Sequence, residues 1–333
     1  MVKIARLSNE ERSIIFNNVA YEMGVNAAIV EKDYWVSLTL YFLFLKSSFK
    51  NNIIFKGGTC LSKVYNVIDR FSEDIDLILD WRLLGYEKDE PWISRSKTKQ
   101  LKFIDDSNNR LFAFLKNEFL SQFKIEFSEY LGFEANVYIN ENDSGVILFD
   151  YPKLYFNDSI LRSICLEIGI LAEWNPQKKA YLKPYVADFY PQLFNVKDIM
   201  VNATTLERTF WEKATILHQE ANRPENSKLP SRYSRHYYDI YCIGKSGLIV
   251  YSTETIKLLN NVAAFKTRFY PRNWARYDLA RIGTLKLAPN EVYLSDLKED
   301  YRKMQDMIYG YKPSFEEMIE YIKELENKIN SLK

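Results

Sequence analysis

Apolar and polar positions along this 333-residue chain change their period several times, and each change marks an element. Residues 8–48 follow a helical period. Ser8 with Glu11 forms a capping-box pattern, and Glu31-Lys32-Asp33-Tyr34-Trp35-Val36 leads into an apolar run over 34–45. A short apolar segment (Ile53, Ile54, Phe55) then enters a Gly57-Gly58-Thr59 turn. Beyond it Leu61, Val64, Tyr65 and Ile68 have the i, i+3, i+4, i+7 spacing of one buried helix face. The period drops to two over residues 74–79, where Ile75, Leu77 and Leu79 alternate with Asp74 and Asp76. A second charged helical stretch, 87–128, places Leu111, Phe114, Leu115 and Phe119 on one side. Strand-like segments follow at 134–139, 146–149 and 163–171. After Phe189 strand character fades. The stripe Leu206, Phe210, Ala214, Leu217, Ala221 opens a helical region, the loop 222–230 with Pro224 and Pro230 interrupts it, and a last helix begins at Ser314 with Glu317. That helix carries Phe315, Met318, Ile322, Leu325 and Ile329. The pattern predicts an α+β fold whose C-terminal half is all helical.

Composition narrows this picture. A chain of this length usually splits into two cores, and 47% hydrophobic with 15% aromatic residues is ample to fill them. The net charge of +1 means that affinity for a polyanion needs a local basic patch. Three scattered cysteines (Cys60, Cys165, Cys242) suit a reducing compartment better than a disulfide framework. The first residues lack a secretory apolar run, and 34–45 is about half of a roughly 20-residue membrane span, so a soluble cytoplasmic protein is expected.

The candidate chemistry starts with Asp74 and Asp76. On one strand face they repel unless a cation lies between them, and hard oxygen donors at this density suit Mg²⁺ with phosphate oxygens completing its shell. The Gly57-Gly58-Thr59 turn before a helix offers backbone N–H groups to such phosphates. Two-metal phosphoryl chemistry needs a third acid. Glu167, within Ile164-Cys165-Leu166-Glu167-Ile168, is the candidate; a buried salt bridge is its competing reading. Lys63 and Arg70 could contact a triphosphate, or could be ordinary exposed cations. Lys213 falls inside its helix's apolar stripe at about 100° per residue. Lysines seldom sit there unpaired, so it is expected to reach across the domain junction toward nucleotide phosphates, with snorkelling as the alternative. Asp239 lies one turn after Arg235, and a plain i, i+4 ion pair competes with a catalytic role. Residues 266–286 interleave Lys266, Arg268, Arg272, Arg276, Arg281 and Lys286 with Phe269, Tyr270, Trp274 and Tyr277. That mixture can hold RNA phosphates and stack on bases, or can be aromatic core with a basic rim. His218 and His236 have no metal-ligand spacing with the cysteines, which argues against a zinc site or a hydrolase triad.

The segment FKGGTCLSKVYNVIDRFSEDIDL (55–77) resembles the glycine motif and paired aspartates of polymerase-β-type nucleotidyltransferases. Together with EKDYWV (31–36), TFWEKATILHQEA (209–221) and RHYYDIY (235–241), it resembles more narrowly the AbiEii toxin family of type IV toxin–antitoxin systems. The resemblance implies a polymerase-β-like domain with a mixed sheet at 1–195, joined to a helical bundle at 196–333, with the active site between them. It implies phosphate binding by Gly58 and Thr59, Mg²⁺ held by Asp74 and Asp76, and Lys213 with Asp239 as a further catalytic pair. Glu167 matches the third-acid strand by local pattern. The implied activity is transfer of NMP from an NTP to the 3′ end of tRNA, opposed by a cognate antitoxin with a DNA-binding domain. Two alternatives stay open from the residues: transfer to a protein or aminoglycoside-like hydroxyl, and a nucleotide-binding regulator without catalysis.

Overall fold

The structure, a computed structural model, describes residues 1–72, 74–156, 161–171 and 175–332; Glu73, inside the aspartate motif, lies outside them. The chain divides into two units, Met1–Val64 with Phe71–Thr204, and Tyr65–Arg70 with Thr205–Lys333.

In the first unit, helix α1 (Asn9–Met23) begins with the expected capping box, because Ser8 and Glu11 satisfy each other's backbone N–H groups. It stops at Gly24, whose φ of +65° the right-handed helix cannot continue. Asn26 caps a second helix, α2 (Ala27–Leu45), so 8–48 is two helices. Helix α2 is apolar and buried almost all round, which marks it as a core helix. No helix among the described residues is long and apolar enough to cross a membrane.

Strand β1 (Ile53–Lys56) runs into α3 (Gly57–Lys63), and β2 (Asp74–Leu79) returns antiparallel to it. Helices α4 (Lys97–Phe114) and α5 (Leu120–Leu131) precede β3 (Asn136–Asn140), β4 (Asp143–Asp150) and β5 (Ile164–Gly169). Strand β6 (Gln177–Leu182), the short α6 (Val186–Phe189) and β7 (Ile199–Thr204) complete the unit. Among the described residues the strands form one mixed sheet in the order β3-β4-β5-β2-β1-β7-β6. One face carries Phe55, Leu77, Leu166, Ile168, Ile147 and Phe149, all buried. Helix α2 packs there, with Trp35 edge-on to Phe149 and stacked on Tyr151, and Phe44 against Phe55.

Three elements differ from the sequence reading, among them β6, whose Gln177-Lys178-Lys179 start is too polar to announce a strand. The helix after the glycine turn ends at Val64, because Asn66 adopts φ +50°, a left-handed conformation that breaks the helix. Tyr65 and Ile68 therefore do not share its face. Strand β7 follows Phe189, where strands were not expected, and pairs parallel with β1 (Phe55 opposite Ala203) and antiparallel with β6. The first unit accordingly runs on through β7 to Thr204.

The second unit contains α7 (Leu206–Ala221), α8 (Ser234–Lys245), α9 (Thr253–Phe269), α10 (Leu294–Met304) and α11 (Phe315–Asn330). Ser314 caps α11, and Phe315, Met318, Ile322, Leu325 and Ile329 are buried as the period predicts. The segment Tyr65–Arg70 packs within this unit: Arg70 bridges to Ile308, and the Tyr309 N–H donates to the Asp69 carbonyl at 2.9 Å.

Candidate active site

The face of the sheet opposite α2 carries the acids. Register places Lys56 beside Asp76, Asp76 beside Glu167, and Glu167 beside Val146, so four neighbouring strands contribute one row. Directly paired residues project to the same side, and strands are spaced about 4.8 Å apart. Asp74 lies two residues before Asp76 on the same face, opposite Cys165. Both aspartates are half-buried, as the alternation predicts. Glu167 is exposed, so neither a burial cost nor a buried salt bridge describes it.

The glycine turn is built around Asp76. Gly57 has φ +80°, and a Cβ placed on it would lie 1.8 Å from Asp76 Oδ2, so the carboxylate rests directly over the glycine. Thr59 is fully buried, and its hydroxyl donates to the Asp74 carbonyl at 2.5 Å. The threonine thereby locks α3 against the start of β2. Gly58 is half-buried between them. Lys63 is neither exposed nor directed to open solvent: it pairs with Asp33 at 2.5 Å and lies 4.1 Å from the Tyr185 ring centroid.

The EKD motif of α2 explains that anchoring. Glu31 accepts the N–H groups of Leu154 and Tyr155, and Lys32 donates to the carbonyls of Leu161 and Ser163. Asp33 takes Lys63 and the Tyr185 N–H. Burial pushes the Glu31 carboxyl up to about 7, against the two N–H bonds and the Arg12 charge. These three charges hold loops and α3 in place around the sheet.

In the second unit Asp239 is fully buried and binds Arg70 in a two-pronged pair, Nε to Oδ1 at 2.7 Å and Nη2 to Oδ2 at 2.8 Å. Lys213 Nζ reaches Asp239 Oδ2 at 2.7 Å, so the lysine inside the apolar stripe has a partner. Burial alone would raise the Asp239 carboxyl. Arg70 and then Lys213, through charge and hydrogen bonds, outweigh that and hold it well below the ordinary carboxylate range. The partners of Asp239 are thus remote in sequence, and its carboxylate is committed to them instead of to Arg235.

The basic–aromatic stretch divides. Phe269 and Tyr277 are buried, which is the core reading, whereas Tyr270 is half exposed. Trp274 lies between Arg223 and Arg272, with guanidinium carbons 4.9 and 5.7 Å from its ring centroid. His218 pins the stretch, its Nε2 bonding the Arg276 carbonyl and its Nδ1 accepting the Lys286 N–H.

Lys56 was not singled out in the sequence, although it is the last strand residue before the glycines and stands in register beside Asp76. Among the described residues no three His, Cys, Asp or Glu side chains are grouped closely enough to hold a metal by themselves. Mg²⁺ is commonly held by one or two carboxylates with substrate phosphates. The half-buried, same-face Asp74–Asp76 pair is a donor set of that kind.

Residues 40–321 match the family model described as nucleotidyl transferase AbiEii toxin, type IV toxin–antitoxin system. No curated protein matches the chain. Among solved structures it is similar to MenT4, a nucleotidyltransferase toxin from Mycobacterium tuberculosis H37Rv. The identity is 14% and the TM-score 0.45, over 95% of this chain and 99% of that one.

Proposed function

The chain belongs to the AbiEii family of type IV toxin nucleotidyltransferases, and from that premise we propose that it transfers NMP from an NTP to the 3′-terminal hydroxyl of tRNA. The observation that carries the reading is the row Lys56–Asp76–Glu167, with the Asp76 carboxylate seated on Gly57. A lysine and two acids in one row, beside a glycine turn that no side chain can fill, suit a triphosphate and an attacking hydroxyl together.

In the proposed reaction the hydroxyl oxygen forms a bond to the α-phosphorus, the bond to the β-phosphate bridging oxygen breaks, and pyrophosphate leaves. Asp74 and Asp76 would hold Mg²⁺, which when bound offsets the phosphate charge. Gly57, Gly58 and Thr59 present backbone N–H groups to the phosphates. Glu167, exposed on the neighbouring strand, takes the proton of the attacking hydroxyl. Lys213 supplies positive charge to the transfer, and Asp239 positions its ammonium group. Lys63, occupied by Asp33, acts as a positioning residue for α3, and Arg70 holds Asp239 within the second unit. The cognate antitoxin that type IV membership implies carries a DNA-binding domain in this proposal.

Incubating the purified protein with total RNA and each α-labelled NTP, with Mg²⁺ or with EDTA, tests the reading. Label entering the tRNA fraction with one or more NTPs, and only with Mg²⁺, is the expected result. Label on protein or a small molecule, or none at all, overturns the tRNA assignment.

A further inference from the structure

A groove of about 310 Å³ adjoins the acids in the first unit. It is lined by Asp76 and Glu167 of the acid row, by Lys56, by Asn108 and Phe112 of α4, and by Asp143 and Gly145 of β4. Asn108 and Phe112 are one helical turn apart, so both face the same way. Both are half-buried. Gly145 keeps the floor open. A Cβ there would come to 3.3 Å from Asp143 Oδ1 and 3.5 Å from Phe112 Cε1, while its N–H is bonded to that same Asp143 oxygen at 2.9 Å.

Position in the sheet says which substrate the groove faces. The glycine turn leaves β1, on one side of β2, and Glu167 lies on β5, on the other side. In phosphoryl transfer the attacking and leaving oxygens lie roughly in line across the phosphorus. With the departing pyrophosphate at the glycines, the hydroxyl approaches from the β5–β4 side; the groove begins at Lys56 on β1 and extends past Glu167 to that side, where α4 lines it. Its volume is at the lower end of those that enclose small ligands. An aromatic ring beside an amide matches what a nucleobase offers, a π-face and a hydrogen-bonding edge.

We propose that this groove seats the terminal nucleobase of the acceptor RNA, with Phe112 stacking on the base and Asn108 bonding its edge. The proposal rests on the transfer reading above and adds the residues that choose the acceptor. They are specificity residues; neither touches the reacting atoms.

The test measures KM for the acceptor RNA and for the NTP separately, in the wild-type chain and in Phe112→Leu, Phe112→Trp and Asn108→Ala, with thermal unfolding as a control. Phe112→Leu is expected to raise KM for RNA roughly tenfold and leave KM for NTP unchanged. Phe112→Trp, which keeps a stacking face, is expected to stay near wild type. Asn108→Ala is expected to flatten the preference among acceptors that differ only in the last base. An unchanged RNA KM in all three variants, or a rise confined to the NTP, overturns the groove assignment while transfer stands. If the wild-type chain labels no RNA, the transfer reading fails first and the assignment falls with it.

Discussion

At the scale of single residues, the sequence exposed the acids and hid their neighbours. Asp74 and Asp76 were legible because a period of two sets them against Ile75 and Leu77, and the structure keeps that division. Lys56 and the Arg70–Asp239 pair were not, because a partner across strands or 169 positions away is a tertiary fact without a local pattern. Gly57→Ala is expected to cost about 1–3 kcal/mol through its positive φ. By displacing the Asp76 carboxylate it should also lower transfer by about a hundredfold. Urea unfolding and label transfer measure the two losses separately, and an alanine variant with full activity would show that the contact is dispensable. Asp239→Ala leaves two buried cations without their partner and is expected to destabilise the second unit by about 3–5 kcal/mol. Because the folded-state carboxyl is depressed, this contribution is complete above about pH 4 and fades as the pH falls further. Chemical unfolding of wild type and Asp239→Asn should show a constant difference from pH 7 down to about pH 4 that starts to narrow, without closing, by pH 3.

At the scale of elements, helices with strong stripes were legible and short strands were not. Helix α11 follows its predicted face residue by residue. Strand β7 escaped because its six residues include Asn202 and Thr204, too short and too polar for an apolar run to announce it. The end of α3 escaped for another reason: Leu61, Val64, Tyr65 and Ile68 keep helical spacing, but Asn66 turns left-handed and the chain passes into the second unit. His218 ties α7 to 276–286, and its bonds fix the tautomer: Nδ1 must accept from Lys286 N–H, so the ring is neutral. Burial lowers its pKa, with the Arg276 bond only partly opposing this. A folded state that binds protons less readily than the unfolded chain is most stable above about pH 6.5 and loses that stability as the pH falls through that value. Amide exchange at Lys286, corrected for intrinsic rates, should therefore quicken between pH 7.5 and 5.5. In His218→Phe it should be fast throughout. Equal protection of Lys286 at both pH values in wild type would contradict the assignment.

At the scale of the whole molecule, composition set little beyond size, while four motifs in order carried the family, which the match over 40–321 establishes. With a net charge of +1, the proposed RNA acceptor would have to be held by local features, and Arg272, Arg281 and Lys286 are exposed. What the sequence could not carry was the joint placement of β1, β2, β4 and β5, since strand order is set by long-range pairing. In the proposed function, carboxylates on that sheet face drive nucleotide transfer. Its most direct measurement is pyrophosphate release with RNA, NTP and Mg²⁺ by wild type and Asp76→Asn, alongside their unfolding temperatures. Release by wild type, a loss of about a hundredfold or more in the variant, and closely similar unfolding are expected. A folded Asp76→Asn that releases pyrophosphate at the wild-type rate would contradict it.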